Sequence, residues 1–138
     1  MKRAILLLVI LLAAGVALAA CASEDDTIVI TDRFFANQML DLVMNHQQYL
    51  DRPVQMEGLF RHMPPTADGQ SRYMVMRYVA DCCEVSAVGL QVLLGDTAPF
   101  DEQAWVEVTG NLIIHNGALA LIVTSITELD EVGLWHIM

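Results

Sequence analysis

Lysine is absent from the sequence after Lys2, and basic residues of any kind are few. Beyond Cys21 the chain has five arginines against 17 acidic residues, which gives that part a formal charge of −12. A surface with this charge repels the phosphate backbone of nucleic acids, so we expect no nucleic-acid binding. The charge suits cations or basic partners, and it is equally what keeps an exported domain soluble.

Cysteine is also scarce, with three residues at Cys21, Cys82 and Cys83. Adjacent Cα atoms lie about 3.8 Å apart, whereas disulfides usually join Cα atoms about 4.4–6.8 Å apart. A bond between Cys82 and Cys83 would therefore be strained and easily reduced. If Cys21 is acylated, no further partner exists, so the sequence predicts no routine structural disulfide.

The common catalytic motifs are missing from the sequence. It has no Gly-x-Ser-x-Gly elbow, phosphate-binding loop, dinucleotide fingerprint or zinc-protease helix. The adjacent acids Asp101 and Glu102 are typical of a solvated helix start rather than of a catalytic pair. We therefore expect that the protein is not an enzyme.

One long apolar run is present, and it lies at the N-terminus. It follows Lys2 and Arg3 and ends in Leu18-Ala19-Ala20-Cys21, a pattern that predicts a lipoprotein signal peptide over residues 1–20. Residues 21–27 would then be the lipidated Cys21 and an acidic tether, which anchors the protein to a bacterial cell envelope on the extracytoplasmic side of the membrane. An ordinary secretory signal or an uncleaved anchor helix are the alternatives, and both leave the remaining residues on that same side.

The rest of the chain changes from a helical to a strand-like period. Apolar residues at three- and four-residue steps predict a helix that starts at Thr31 or Asp32 and stops before Pro53. Alternation from Pro53 onward then predicts strands, and Asn116-Gly117 predicts a tight hairpin turn. The five predicted strands cover residues 53–61, 72–79, 88–94, 105–114 and 118–126, with a short helical turn over 99–104.

These elements predict one mainly β domain over residues 28–138. Five strands match the order of a small OB-like Greek-key barrel, here with an N-terminal amphipathic helix. Gly58, Gly89 and Gly110 fit this fold, since glycines inside strands mark bulges and sharp coiling. The alternative is an open antiparallel sheet with the helix packed on one face.

Cys82 and Cys83 are the candidate reactive residues. Their thiolates favour zinc or copper as the metal. Further ligands would come from acids adjacent to the pair and from histidines elsewhere in the sequence. A bend or turn must present the two side chains together, because an extended strand sends neighbours to opposite faces. A redox-active thiol pair and a simply buried cysteine are the alternatives. The candidate further ligands are Asp81, Glu84, His62 and His115.

Several segments together resemble a known family. They are Ile30-Thr31-Asp32-Arg33-Phe34-Phe35, the stretch from Tyr49 to Gly58, Arg77 followed by Cys82-Cys83, and Trp-Val-Glu-Val-Thr-Gly at 105–110. Over about residues 28–130 the chain resembles the C-terminal domain of the YcgQ-like proteins, described as subunits of a two-component membrane permease. Members generally carry N-terminal membrane helices, where this chain has a signal-like segment.

The resemblance implies an integral permease as a partner in the same membrane, handling a metal ion or a small solute. Cys82 and Cys83 carry over directly to the family's cysteine pair. We therefore expect a lipid-anchored extracytoplasmic accessory subunit of a permease that binds a soft metal ion through these cysteines. An envelope thiol-redox protein and a non-catalytic OB module that binds protein or ligand are the alternative functions.

Overall fold

The computed structural model describes residues 26–80, 83–95 and 100–133, and the backbone of residues 136–137. The predicted signal peptide over 1–20, Cys21 and most of the tether lie outside the described residues, as do Asp81 and Cys82. Within the described ranges, no helix combines the length and the apolar character that crossing a bilayer requires.

Strands dominate the described part of the chain, with one short α-helix near its start. Two single turns of 3-10 helix flank this helix, at Asp32–Phe34 and His46–Gln48. In chain order the elements are β1 (Ile28–Ile30), α1 (Phe35–Met44), β2 (Pro53–Met63), β3 (Arg72–Ala80), β4 (Val85–Leu93), β5 (Trp105–His115), β6 (Ala118–Glu128) and β7 (His136–Ile137). The prediction of a mainly β fold with an N-terminal helix is confirmed.

The five long strands pair in a closed ring. Going round it, β2 pairs with β5, β5 with β6, β6 with β4, β4 with β3, and β3 returns to β2. The β4–β6 pairing is parallel and the other four are antiparallel. This barrel-like ring has the strand order of an OB-type fold, and the β2–β3 pairing excludes the open-sheet alternative.

A change of partner along β2 closes the ring. Its first residues, from Pro53, pair with β5, and its last, to Met63, pair with β3. Leu59 belongs to both ladders, opposite Trp105 on one side and Met76 on the other. A strand that serves two neighbours in this way must bend, which is how five strands enclose one core.

The β5–β6 hairpin turns at Asn116-Gly117, as predicted. Both residues have positive φ angles, 51° and 79°. A type I′ turn requires this combination, and asparagine and glycine adopt it at little cost. The turn holds His115 opposite Ala118 and so fixes the register of β5 against β6 up to the irregularity between Thr109 and Gly110.

The helix is shorter than the sequence predicts, because the predicted span from Thr31 to about Leu50 divides into three pieces. Only Phe35–Met44 is α-helical. The polar residues after Met44 leave the helical path at Asn45 (φ −113°, ψ 24°) and continue as a 3-10 turn. Phe35, Met39 and Leu42 form the buried face of the helix, while Leu40, Val43 and Met44 are apolar but exposed.

Three other details differ from the sequence prediction. The strands β1 and β7 were not predicted, because two or three residues give no readable alternation. Each pairs in parallel with a ring strand, β1 with β2 and β7 with β3. The predicted helical turn over 99–104 is wrong for its described residues, 100–104. Ala104 N donates to Asp101 O (3.1 Å) and closes a turn, but Gln103 has a positive φ of 75°, so the turn is not helical.

A single core fills the ring and the space under α1. Buried side chains from every ring strand and from the buried face of the helix form one cluster. The expectation that Phe60 and Trp105 are core residues is confirmed, with exposed fractions of 0% and 2%. The other large apolar side chains with an exposed fraction of 2% or less are Phe35, Met39, Leu42, Met56, Leu90, Leu112 and Leu121.

A small polar network closes the end of α1, and it gives a pH-dependent prediction. The Tyr49 hydroxyl donates to one Asp41 carboxylate oxygen, and Asn45 Nδ2 donates to the other (2.6 Å). These two bonds lower the pKa of Asp41 below its usual value, and the bond to Asp41 raises the pKa of Tyr49. Replacing Tyr49 with phenylalanine should therefore raise the pKa of Asp41, as measured by carboxyl NMR titration.

The sign of the stability effect follows from linkage. A carboxyl with a lowered pKa in the folded state stabilises the fold above its unfolded pKa, and the contribution disappears as the pH falls through the folded value. Asn45→Ala should raise the pKa of Asp41 less than Tyr49→Phe, because the tyrosine bond is the larger cause. An unchanged Asp41 pKa in Tyr49→Phe would contradict this description.

Candidate functional site

The cysteine pair belongs to the connection between β3 and β4. Ala80 ends β3 and pairs directly with Val85, the first residue of β4, so four residues make the hairpin connection. The chain bends at Cys83, and both Cys83 and Glu84 are exposed. Asp81 and Cys82, the other two residues of the connection, lie outside the described part. Cys83 therefore lies in a bend between two strands and not within a straight pleat.

His62, one of the two predicted histidine ligands, lies far from this connection. His62 pairs with Tyr73 near the start of β3, seven residues before Ala80, which corresponds to about 23 Å along a strand. His62 Nε2 instead lies 3.1 Å from the carbonyl oxygen of Phe100. His115 adjoins the β5–β6 turn and pairs with Ala118, two residues before Ala120, which lies opposite Gln91 of β4. The register of β2 against β3 therefore keeps the His62 imidazole away from the cysteine hairpin.

Among the residues that the structure describes, no group of three or more histidine, cysteine, aspartate or glutamate side chains could hold a metal ion. Of the predicted set, Cys83 and Glu84 alone are described at the hairpin. The backbone of β7 also runs beside the last residues of β3, with His136 opposite Tyr78.

Arg77 is a buried charged residue close to the hairpin in sequence. The sequence patterns did not predict it as a site residue. Its side chain is fully buried, six residues before Cys83. Arg77 Nε donates to the carbonyl oxygen of Glu57 (2.7 Å), and Nη1 donates to the carboxylate of Asp32. Nη2 lies 3.9 Å from Glu57 Oε2. One guanidinium thus joins β2, β3 and the turn that precedes α1.

Two aromatic rings enclose the same guanidinium. Its central carbon lies 5.0 Å from the centre of the Phe35 ring and 4.9 Å from the Trp105 ring. Trp105 Nε1 also donates to Glu57 Oε2 (3.4 Å). A planar cation between two ring faces gains electrostatic attraction as well as contact area. The Arg77 cluster, defined as Asp32, Phe35, Glu57, Arg77 and Trp105, therefore fixes β3 just before the thiol hairpin.

The only sequence signal for this cluster is a single arginine inside an apolar strand, Tyr73-Met74-Val75-Met76-Arg77-Tyr78-Val79. A buried charge needs paired charges and hydrogen bonds around it. Its partners Asp32, Glu57 and Trp105 lie 45, 20 and 28 residues away in sequence. Spacing along the chain could not identify them.

An OB-type ring of five strands with a helix before its first long strand defines the structural class of the protein. Comparison with known families gives a more specific result. The sequence profile of the DUF1980 C-terminal domain matches residues 16–132, and the chain belongs to this family. A search of curated proteins finds no match. The family description names no activity, so function has to be argued from the residues.

Proposed function

We propose that this protein is a non-enzymatic, lipid-anchored accessory subunit of a membrane permease, held on the extracytoplasmic side and presenting a soft-metal ligand patch at the β3–β4 hairpin. The observation that carries the proposal is the exposure of Cys83 in a four-residue connection between paired strands. The family match supports the part of the resemblance that concerns the domain. We further propose that the protein is a YcgQ-like protein whose partner is an integral permease.

The local backbone supports a paired-thiol site. Adjacent side chains diverge along a strand, but they can face one ion where the chain reverses. Here β3 ends at Ala80 and β4 begins at Val85, and the chain bends at Cys83 within the connection. Glu84 is exposed beside this residue and supplies a carboxylate. Two thiolates and an oxygen ligand suit zinc, and the thiolates alone suit Cu(I).

The rigid surroundings support a presenting role. Arg77 is held by Asp32 and Glu57 and lies six residues before Cys83 on the same strand and its continuation. The antiparallel ladder between β3 and β4 is continuous from Tyr73–Val92 to Ala80–Val85. The conformation of a hairpin at the end of such a ladder changes little when it binds a partner. This rigidity suits transfer of an ion to a permease.

Metal titration of the reduced full chain in lipid nanodiscs tests the proposal. Cd²⁺ serves as the probe, because its bonds to thiolates absorb in the ultraviolet. We expect one saturable equivalent for the wild type, and loss of that absorption in the Cys82→Ser, Cys83→Ser double variant. His62→Ala is the matched control, and it should bind like the wild type because His62 lies at the other end of β3. Identical flat traces for wild type and double variant would refute the metal site.

The exposed thiol also favours a second candidate, an envelope thiol-redox protein. Accessibility is the first requirement for thiol exchange, and Cys83 meets it. Titration of the thiols against a series of redox buffers separates the two functions. A reversible two-electron transition without metal binding would support the redox function, and thiols that stay reduced while binding Cd²⁺ would support the metal function.

A further inference from the structure

An apolar groove with a volume of about 470 Å³ lies far from the thiol hairpin along β3. It opens between the end of α1, the first residues of β3, the last half of β4 and the β5–β6 hairpin. Volumes of this size are typical of small-ligand sites. The apolar lining includes Val43, Met63, Met74, Leu90, Ile114 and Leu119.

The charges in this groove differ from those of the rest of the domain. Arg72 is the cationic side chain that lines it, His46 is a further lining residue, and no acidic side chain of the described residues lines it. The chain beyond Cys21 has 17 acids and five arginines, so its surface is negatively charged on average. A groove lined by an arginine and by no acid has the opposite sign of charge. The groove therefore favours a ligand with a negative head.

Arg72 has no carboxylate partner among the described residues, unlike three of the other arginines. Arg52 pairs with Asp26 (2.7 Å), Arg61 with Glu102 (3.3 Å) and Arg77 with Asp32. Arg33 is exposed and lies over the ring of its neighbour Phe34. Arg72 can therefore bind an anion in the groove. A guanidinium binds a carboxylate or a phosphate through two parallel hydrogen bonds.

The groove mouth also exposes apolar side chains that a ligand would cover. Val43 of α1 and Ile114 of β5 are 50% and 51% exposed, and both line the groove. Burying apolar surface of this kind favours an occupant with a hydrocarbon body. His46 leaves one ring nitrogen for a ligand, because Nδ1 lies 3.0 Å from the Val43 carbonyl oxygen.

We propose that this groove binds a single-chain amphipathic anion, with its hydrocarbon body between α1 and the β5–β6 hairpin and its anionic head at Arg72. The proposal is independent of the thiol hairpin and of the permease function. A fatty-acid carboxylate and an alkyl phosphate share the required chemistry, and the experiment distinguishes them.

Methionine methyl NMR provides a site-specific test on the full chain in zwitterionic nanodiscs. Met63 and Met74 line the groove, whereas Met39 and Met56 are buried in the core and do not. Titration with octanoate and octyl phosphate should shift the first pair saturably and leave the second pair unchanged. Octylammonium, with the same chain and the opposite charge, should bind at least tenfold more weakly. Saturation by octanoate alone identifies a carboxylate site, and saturation by octyl phosphate alone identifies a phosphate site.

Two pairs of matched variants complete the test. Arg72→Gln should weaken binding about tenfold, the usual size of one lost charge-assisted hydrogen bond, and Arg33→Gln should not change it. Ile114→Glu should abolish binding, whereas Ile122→Glu should not, although Ile122 is exposed to the same degree (49%) and lies outside the groove. Equal binding of octylammonium and octanoate, unchanged affinity in Arg72→Gln, or no shift of Met63 and Met74 would overturn the proposal.

Discussion

Arg77→Ala is expected to lower the free energy of unfolding by about 3 kcal/mol, as measured by chemical denaturation of the full chain. The substitution removes a fully buried guanidinium with its hydrogen bonds to Asp32 and Glu57. It also leaves a space between the rings of Phe35 and Trp105. The two carboxylates are 45% and 38% exposed and can rehydrate, so the loss should not reach the largest values known for broken buried pairs.

Arg33→Ala is the matched control for this prediction. Arg33 is exposed, and its guanidinium lies 5.8 Å from the centre of the ring of its neighbour Phe34. Removing it changes the net charge by the same amount but should alter stability by less than about 0.5 kcal/mol. Equal effects of the two substitutions would mean that Arg77 does not hold the helix start, β2 and β3 together.

Gly89→Ala is expected to cost about 3 kcal/mol, the upper part of the range for overpacked sites. A Cβ atom at this position would lie 2.2 Å from the carbonyl oxygen of Val75 and 2.5 Å from Met76 Cβ. Gly89 pairs with Met76 in the β3–β4 ladder, so relief of the clash requires a shift of the backbone of both strands. Thermal unfolding should show the loss as a lower transition temperature.

Ser86→Thr is the control for the added methyl group. Ser86 lies on the same strand, is exposed and pairs with Val79. The extra methyl group should enter solvent there and change stability by less than about 0.5 kcal/mol. If Gly89→Ala were as mild as Ser86→Thr, the ring would be less tightly coiled at β3 and β4 than the structure indicates.

Much of the ring was predictable from the sequence, because its signals are local. Alternation in β2 places Val54, Met56 and Phe60 inside, and all three are buried. Asn116-Gly117 fixes one hairpin on its own. Glycines inside the strands mark the sites of closest backbone approach, of which Gly89 is the tightest. Period and turn chemistry therefore carry enough information for the strand order of an OB-type ring.

The parts that the sequence could not predict depend on distant partners. The strand β1 forms because Ile28–Ile30 finds β2, and nothing in three residues predicts that pairing. The helix ends early because a polar segment after Met44 makes a 3-10 turn and lets Tyr49 reach back to Asp41. The helical period of the sequence alone would continue the helix beyond Met44 and through Tyr49.

The role of the cysteine pair stays a prediction. The sequence requires a bend if the two thiols are to face one ion, and the described backbone bends at Cys83 in the connection after Ala80. It included His62 as a candidate ligand, yet the register of β2 against β3 sends His62 to the opposite end of the strand. The Arg77 cluster and the groove at Arg72 were not predicted, because each is assembled from several strands and α1.

X-ray absorption at the zinc K-edge of the reduced full chain tests the central claim most directly, since it counts the sulfur atoms bonded to the metal. We predict two sulfur neighbours at about 2.3 Å in the wild type and one in Cys83→Ser. A wild-type spectrum with nitrogen and oxygen neighbours alone, or one unchanged by Cys83→Ser, would contradict a paired-thiol site at the β3–β4 hairpin.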